Sequence, residues 1–176
     1  MYNEVLNFWF IETPPRNWWG ADPGFDTVIA ERFSRVHAAA AAGELFEWRR
    51  EPRGRLAEVI VLDQFSRNLF RGTARAFASD PLALGLAQEA VAGSHDRSLP
   101  MQERAFLYMP YMHSESRVIH AHAKRLFTTP GMEDNYELRH KAIVDRFGRY
   151  PNRNAALGRV STPEELVFLE QPGSKF

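Results

Sequence analysis

Asp63, Arg67 and Arg71 recur at intervals of four, so a helix sets one acid and two guanidinium groups along a single face. Gln64 and Asn68 form the adjacent stripe. These five hydrogen-bonding side chains come directly after Val59–Leu62, an uninterrupted apolar run, and groups so close to a core need partners. Two arrangements satisfy them. One is a ladder of salt bridges that locks neighbouring helices. The other is the wall of a pocket in which Arg67 or Arg71 holds an anion by a bidentate fork.

A second constellation lies between Arg139 and Arg159. It holds six cationic residues (Arg139, Lys141, Arg146, Arg149, Arg153, Arg159) against the single acid Asp145. Within it, Phe147-Gly148-Arg149-Tyr150-Pro151-Asn152-Arg153-Asn154 has the composition of a turn-forming loop, a common place for binding residues. A solvated basic face is the plain reading. Capture of a phosphate or carboxylate by Arg149, Arg153 and Asn154 is the functional one. Aromatic residues among arginines also suit RNA, but so small a patch on a chain of zero net charge disfavours nucleic acid.

The third constellation is Tyr108-Met109-Pro110-Tyr111-Met112-His113-Ser114-Glu115. His113 is the residue most suited to proton transfer near neutral pH, with Glu115 placed to orient its ring. The alternative is a helix start capped by Ser114, with Glu115 at its positive end. His120 and His122 are two apart and point to nearly opposite sides of a helix. His113 and His120 can share a face, but no further ligand is spaced to join them, so no metal site is expected. No phosphate-binding glycine loop, nucleophile elbow or dinucleotide fingerprint occurs, and no cofactor is implied.

The elements that must position these groups are helices. Apolar residues recur with helical period throughout, and no stretch alternates with period two. Asn3 can cap a first helix through Phe10, stopped by Pro14-Pro15. Asp22-Pro23 starts a second that ends at Gly43. Pro52 opens a third, apolar almost all round at Val59–Leu62 and therefore central, closed by Gly72. Asp80-Pro81 starts a fourth that ends at Gly93. Pro100 opens a fifth, cut at Pro110. A residue near Ser114 caps a sixth through Phe127. A seventh spans about Asn135–Phe147, and Ser161-Thr162-Pro163-Glu164-Glu165 is a capping box for a short last one. The expected fold is all-α, about eight antiparallel helices forming one domain over residues 1–176.

Composition narrows the functions. The 176 residues balance 22 Lys+Arg with 22 Asp+Glu, so net charge gives no argument for nucleic acid or an anionic membrane. Zero cysteine excludes disulfides, thiolate metal sites and cysteine nucleophiles. Arginine outnumbers lysine 19 to 3, a bias that genome composition explains and that also suits bidentate anion binding. No basic leader or membrane-length apolar run is present, so a cytoplasmic location without membrane contact is expected.

Four blocks succeed one another in a familiar order. They are Val5-Leu6-Asn7-Phe8-Trp9-Phe10 with Trp18-Trp19, then Asp63–Gly72, Phe106–Glu115 and Arg146–Leu169. Over essentially its whole length the chain resembles the bacterial family called domain of unknown function 924. The resemblance implies an all-α, tetratricopeptide-like helical array and carries no activity, substrate or cofactor with it. Ser116-Arg117-Val118-Ile119-His120 departs from the acidic, Gln-rich residues frequent in relatives, which speaks against His120 and His122 as functional groups.

These readings support three functions. The first is binding of a small anionic molecule, with acid–base chemistry, in a pocket lined by Asp63, Gln64, Arg67, Asn68, Arg71, His113, Glu115, Arg149, Arg153 and Asn154. The second is a non-enzymatic scaffold that holds a peptide or protein in a helical groove. The third is a purely structural network. A homo-oligomer is compatible with each.

Overall fold

A computed structural model of the chain describes residues 1–132 and 135–174. Those residues form helices and turns with no strand among them. The third helix is the axis of the molecule. It begins at Pro52, which supplies no N–H at a position where none is needed. It runs as α3 (Pro52–Ile60) through a π-helical segment (Val61–Phe65) into α4 (Ser66–Leu69). Leu56 to Phe65 are all at most 7 % exposed, as the apolar circumference of this stretch requires. Gly54 is needed near its start, because a Cβ there would lie 2.1 Å from the Trp48 carbonyl oxygen.

Around this rod pack α1 (Tyr2–Asn7), α5 (Asp80–Ala92) and α6 (Met101–Met112), each against α3. The long α2 (Pro23–Ala41) lies instead on the π segment and α4. Asp22 starts α2 as read from the sequence, its Oδ1 accepting from the Gly24 and Phe25 amides at 2.9 and 3.2 Å. The buried face of α2 (Phe25, Ile29, Phe33, His37, Ala40) keeps the three-to-four spacing of an amphipathic helix. Beyond α6 come α7 (Arg117–Phe127) and α8 (Asn135–Phe147), with α7 seated on α6 and α8 on both. The short α9 (Pro163–Leu169) packs on the turn Pro151–Arg153. Counting α3 and α4 as one rod, eight helices stand among the described residues.

One core cluster joins the helices from α1 to α7, centred on Trp9, Phe33, Leu56, Phe65 and Leu107. A small second cluster of Ile143, Val144 and Tyr150, with Phe147 and Phe168, ties α8 to the loop and helix beyond it.

Three boundaries differ from the sequence reading. Helix α1 starts at Tyr2 rather than beyond Asn3, and continues as a π turn over Phe8–Glu12 that Thr13 closes onto the Phe8 carbonyl. Helix α6 is not cut at Pro110 but runs to Met112. Proline removes one hydrogen bond close to the helix end, and residues 106–112 are buried on every side, so packing outweighs that loss. Finally Ser79, not Asp80, takes the cap position of α5, which leaves the Asp80 carboxylate available elsewhere.

Candidate functional site

The π segment brings the first group to its place. A π turn holds one residue more than an α turn, shifts the register of the helix beyond it, and often marks functional positions. Here it carries Asp63, 1 % exposed, and Gln64, whose amide donates to Asp63 Oδ2 at 2.5 Å. One turn later Arg67 points back, its Nη1 3.3 Å from Asp63 Oδ1. His113 comes from another element. It is the first residue past α6, and its Nδ1 lies 2.8 Å from the same Oδ1.

Asp80, at the start of α5, closes the group. It accepts two hydrogen bonds from Arg67, at 3.0 and 3.1 Å, and one from Arg153 at 3.3 Å. Arg153 ends the short turn that Pro151 opens after α8. Its guanidinium lies between the rings of Phe77 and Tyr150, 4.7 and 4.6 Å from their centroids. It also donates to the His113 carbonyl at 3.0 Å, a cation at the negative end of α6.

Protonation is set by these contacts. Burial opposes the charge on Asp63, but Arg67, His113 and Gln64 together hold its carboxyl far below the usual range. An ionised carboxylate only accepts, so the proton between the two groups belongs to His113 Nδ1. Burial above all, with Arg67 beside it, pushes the His113 pKa below its ordinary value, and Asp63 only partly opposes this. At neutral pH the ring is therefore uncharged, with its lone pair on Nε2. No partner for that nitrogen stands among the described residues. His140, its ring centroid 6.2 Å from that of His113, is pulled down to about 3, by burial above all, and is neutral as well.

Next to this group lies a second network. Glu115 accepts from Arg159 at 2.7 and 2.8 Å and from the Tyr150 amide at 2.8 Å. Arg149 grips Glu165 at 2.6 and 2.8 Å, and Asn154 donates to Glu165 and to Ser161. A third network is separate: Asn68 and Arg71 both bind Asp26 of α2.

A model of the family described as bacterial protein of unknown function (DUF924) matches residues 5–173. The chain belongs to this family. A solved structure of a protein of unknown function from Agrobacterium tumefaciens, ATU0120, is similar with a TM-score of 0.90 and 38 % identity, over 97 % of each chain. None of the curated proteins matches.

Of the residues singled out in this DUF924 sequence, the fold thus brings together Asp63, Gln64, Arg67, His113 and Arg153. It sets Glu115, Arg149 and Asn154 in the adjoining network, and Asn68 and Arg71 on the α2 side. The expected partner of His113 needs correction. Asp63, not Glu115, orients the ring, because Glu115 is taken by Arg159 and the Tyr150 amide beyond the end of α6. His120 is wholly buried between Glu137 and the Ser114 carbonyl, and His122 is exposed.

Sequence reasoning missed Asp80, Phe77 and His140. Asp80-Pro81 reads as a helix start, and nothing in its local sequence says that its carboxylate reaches Arg67 and Arg153. Among the described residues no group of three or more histidines and acids is arranged to hold a metal ion. Nor is any of their helices long and apolar enough to cross a membrane.

The side chains of His113, Arg67, Asp80 and Arg153 are 14, 22, 18 and 10 % exposed, so together they form a partly solvent-facing edge. A surface concavity of about 530 Å³ between Leu6, Phe10, Arg53 and Glu103 lies on other residues.

Proposed function

We propose that this edge binds a small anionic ligand, with His113 as the group that accepts its proton or hydrogen bond. The observation that carries the reading is the neutral His113 ring, fixed through Nδ1 by buried Asp63, with no partner for Nε2 among the described residues, Arg67 on the same Asp63 oxygen and Arg153 on the His113 carbonyl. An aligned, uncharged imidazole of this kind is what general-base chemistry uses. The arginines are paired with acids but not exhausted. A guanidinium has five N–H groups. Hydrogen bonds to the described residues engage three on Arg67 and two on Arg153. Asp80 is the internal anion that a ligand must share or displace.

Calorimetric titration with inorganic phosphate at low ionic strength tests this. The expected result is saturable binding to the wild-type chain, tightened about tenfold by Asp80→Asn, which removes the competing charge. Arg153→Ala should abolish it, with thermal melts confirming that both variants fold. Phosphate binding that Arg153→Ala leaves unchanged would place the anion elsewhere.

A second reading, an interaction scaffold, is favoured by one other observation. Trp19 stacks between Phe106 and Tyr136, with centroids at 5.9 and 6.1 Å, yet Trp19 and Tyr136 stay 61 and 53 % exposed. Exposed stacked rings suit a protein contact. Trp19→Ser would then weaken partner binding and leave phosphate binding intact.

A further inference from the structure

We infer that the His113 edge selects compact oxyanions that carry their own O–H donor, such as hydrogen phosphate or a 2-hydroxy acid, over oxyanions that have none. The inference rests on the anion-binding reading above and adds the chemical class of the ligand.

Asp63 is the starting point. It is buried, ionised and able only to accept, and it already takes Gln64 on Oδ2 and His113 on Oδ1. The His113 ring cannot reverse its tautomer without losing the Asp63 bond. Its Nε2 therefore presents a lone pair. A bare oxyanion set between Arg67, Arg153 and Nε2 gains the guanidinium bonds but faces that lone pair with another. An oxyanion with an O–H turns the same contact into a hydrogen bond. The two cations attract any anion, and the imidazole discriminates among them.

Among the described residues, the neighbouring groups supply no alternative donor at that nitrogen. The Arg153 Nη2 contact goes to the His113 carbonyl, and His140 Nδ1 lies 2.7 Å from the Tyr136 carbonyl. The Asp80 side chain accepts from both arginines.

Phosphate and sulfate form the discriminating pair, since they match in shape and only phosphate keeps an O–H at pH 7. Calorimetry on the full chain at matched ionic strength should show phosphate binding about tenfold tighter than sulfate. Lactate against propionate repeats the comparison with carboxylates, and lactate should bind tighter. In His113→Gln the amide offers donor and acceptor alike, so the phosphate preference should collapse while anion binding persists.

Equal binding of phosphate and sulfate by the wild-type chain, or tighter sulfate, overturns the selectivity and leaves the anion site standing. Binding of none of the four anions removes both. The wild-type comparisons need no variant, so a His113→Gln chain that fails to fold does not shield the inference.

Discussion

Three largely buried imidazoles are held uncharged by the fold. His113, His37 and His140 all have pKa values below the ordinary one, with burial the leading cause in each, and His140 falls to about 3. In the unfolded chain they take up protons as pH drops through about 6.5. In the fold they do so only at lower pH. The unfolded state therefore binds more protons in this window, and stability must decline as pH falls. Asp63 acts lower still: the contribution from its depressed pKa is whole above the ordinary aspartate value of about 3.9 and is lost as pH falls from there. Thermal melts should show a falling melting temperature from pH 7 to pH 5, with a shallower fall in His140→Gln. A melting temperature that stays flat or rises over that interval contradicts the assignment of neutral rings.

The helices show where local chemistry suffices and where it does not. The box at Thr162 forms as its residues suggest: Thr162 Oγ1 accepts from the Glu165 amide at 3.2 Å, and Glu165 Oε2 accepts from the Thr162 amide at 2.8 Å. Thr162→Ala should cost about 1 kcal/mol. For a chain of this size that lowers the melting temperature by roughly 2–4 °C in calorimetry, and no shift would mean the cap is not used. Asp22-Pro23 and Thr162-Pro163 are readable because capping uses neighbours in sequence. The π segment at Val61–Phe65 is not, because its register is set by the elements that pack on all its sides. The same holds for α6 beyond Pro110, where burial overrides the proline. Asp80 shows the mixed case: its place at a helix start is local and legible, while its bonds to Arg67 and Arg153 are long-range and leave no mark in the sequence.

Over the whole molecule, the basic stretch from Arg139 to Arg159 is balanced by acids from outside it. Arg146 pairs with Glu164, Arg149 with Glu165, Arg153 with Asp80 and Arg159 with Glu115. The local excess of charge in the sequence is thus not an excess on the surface, because folding brings partners from α5, the α6–α7 link and α9. These pairs join distant elements; Arg153–Asp80 is largely buried, and removing one of its partners costs roughly 3–5 kcal/mol, whereas the exposed Arg146–Glu164 pair contributes little. The His113 edge differs from the other pairs in having a base with one nitrogen fixed and the other without a partner among the described residues.

That feature is tested most directly by NMR of the histidine ring signals in the full chain during titration with inorganic phosphate. The account predicts a saturable shift of the His113 Cε1–H resonance, with exposed His122 unmoved as an internal reference. An unmoved His113, or equal drift of both rings, contradicts it.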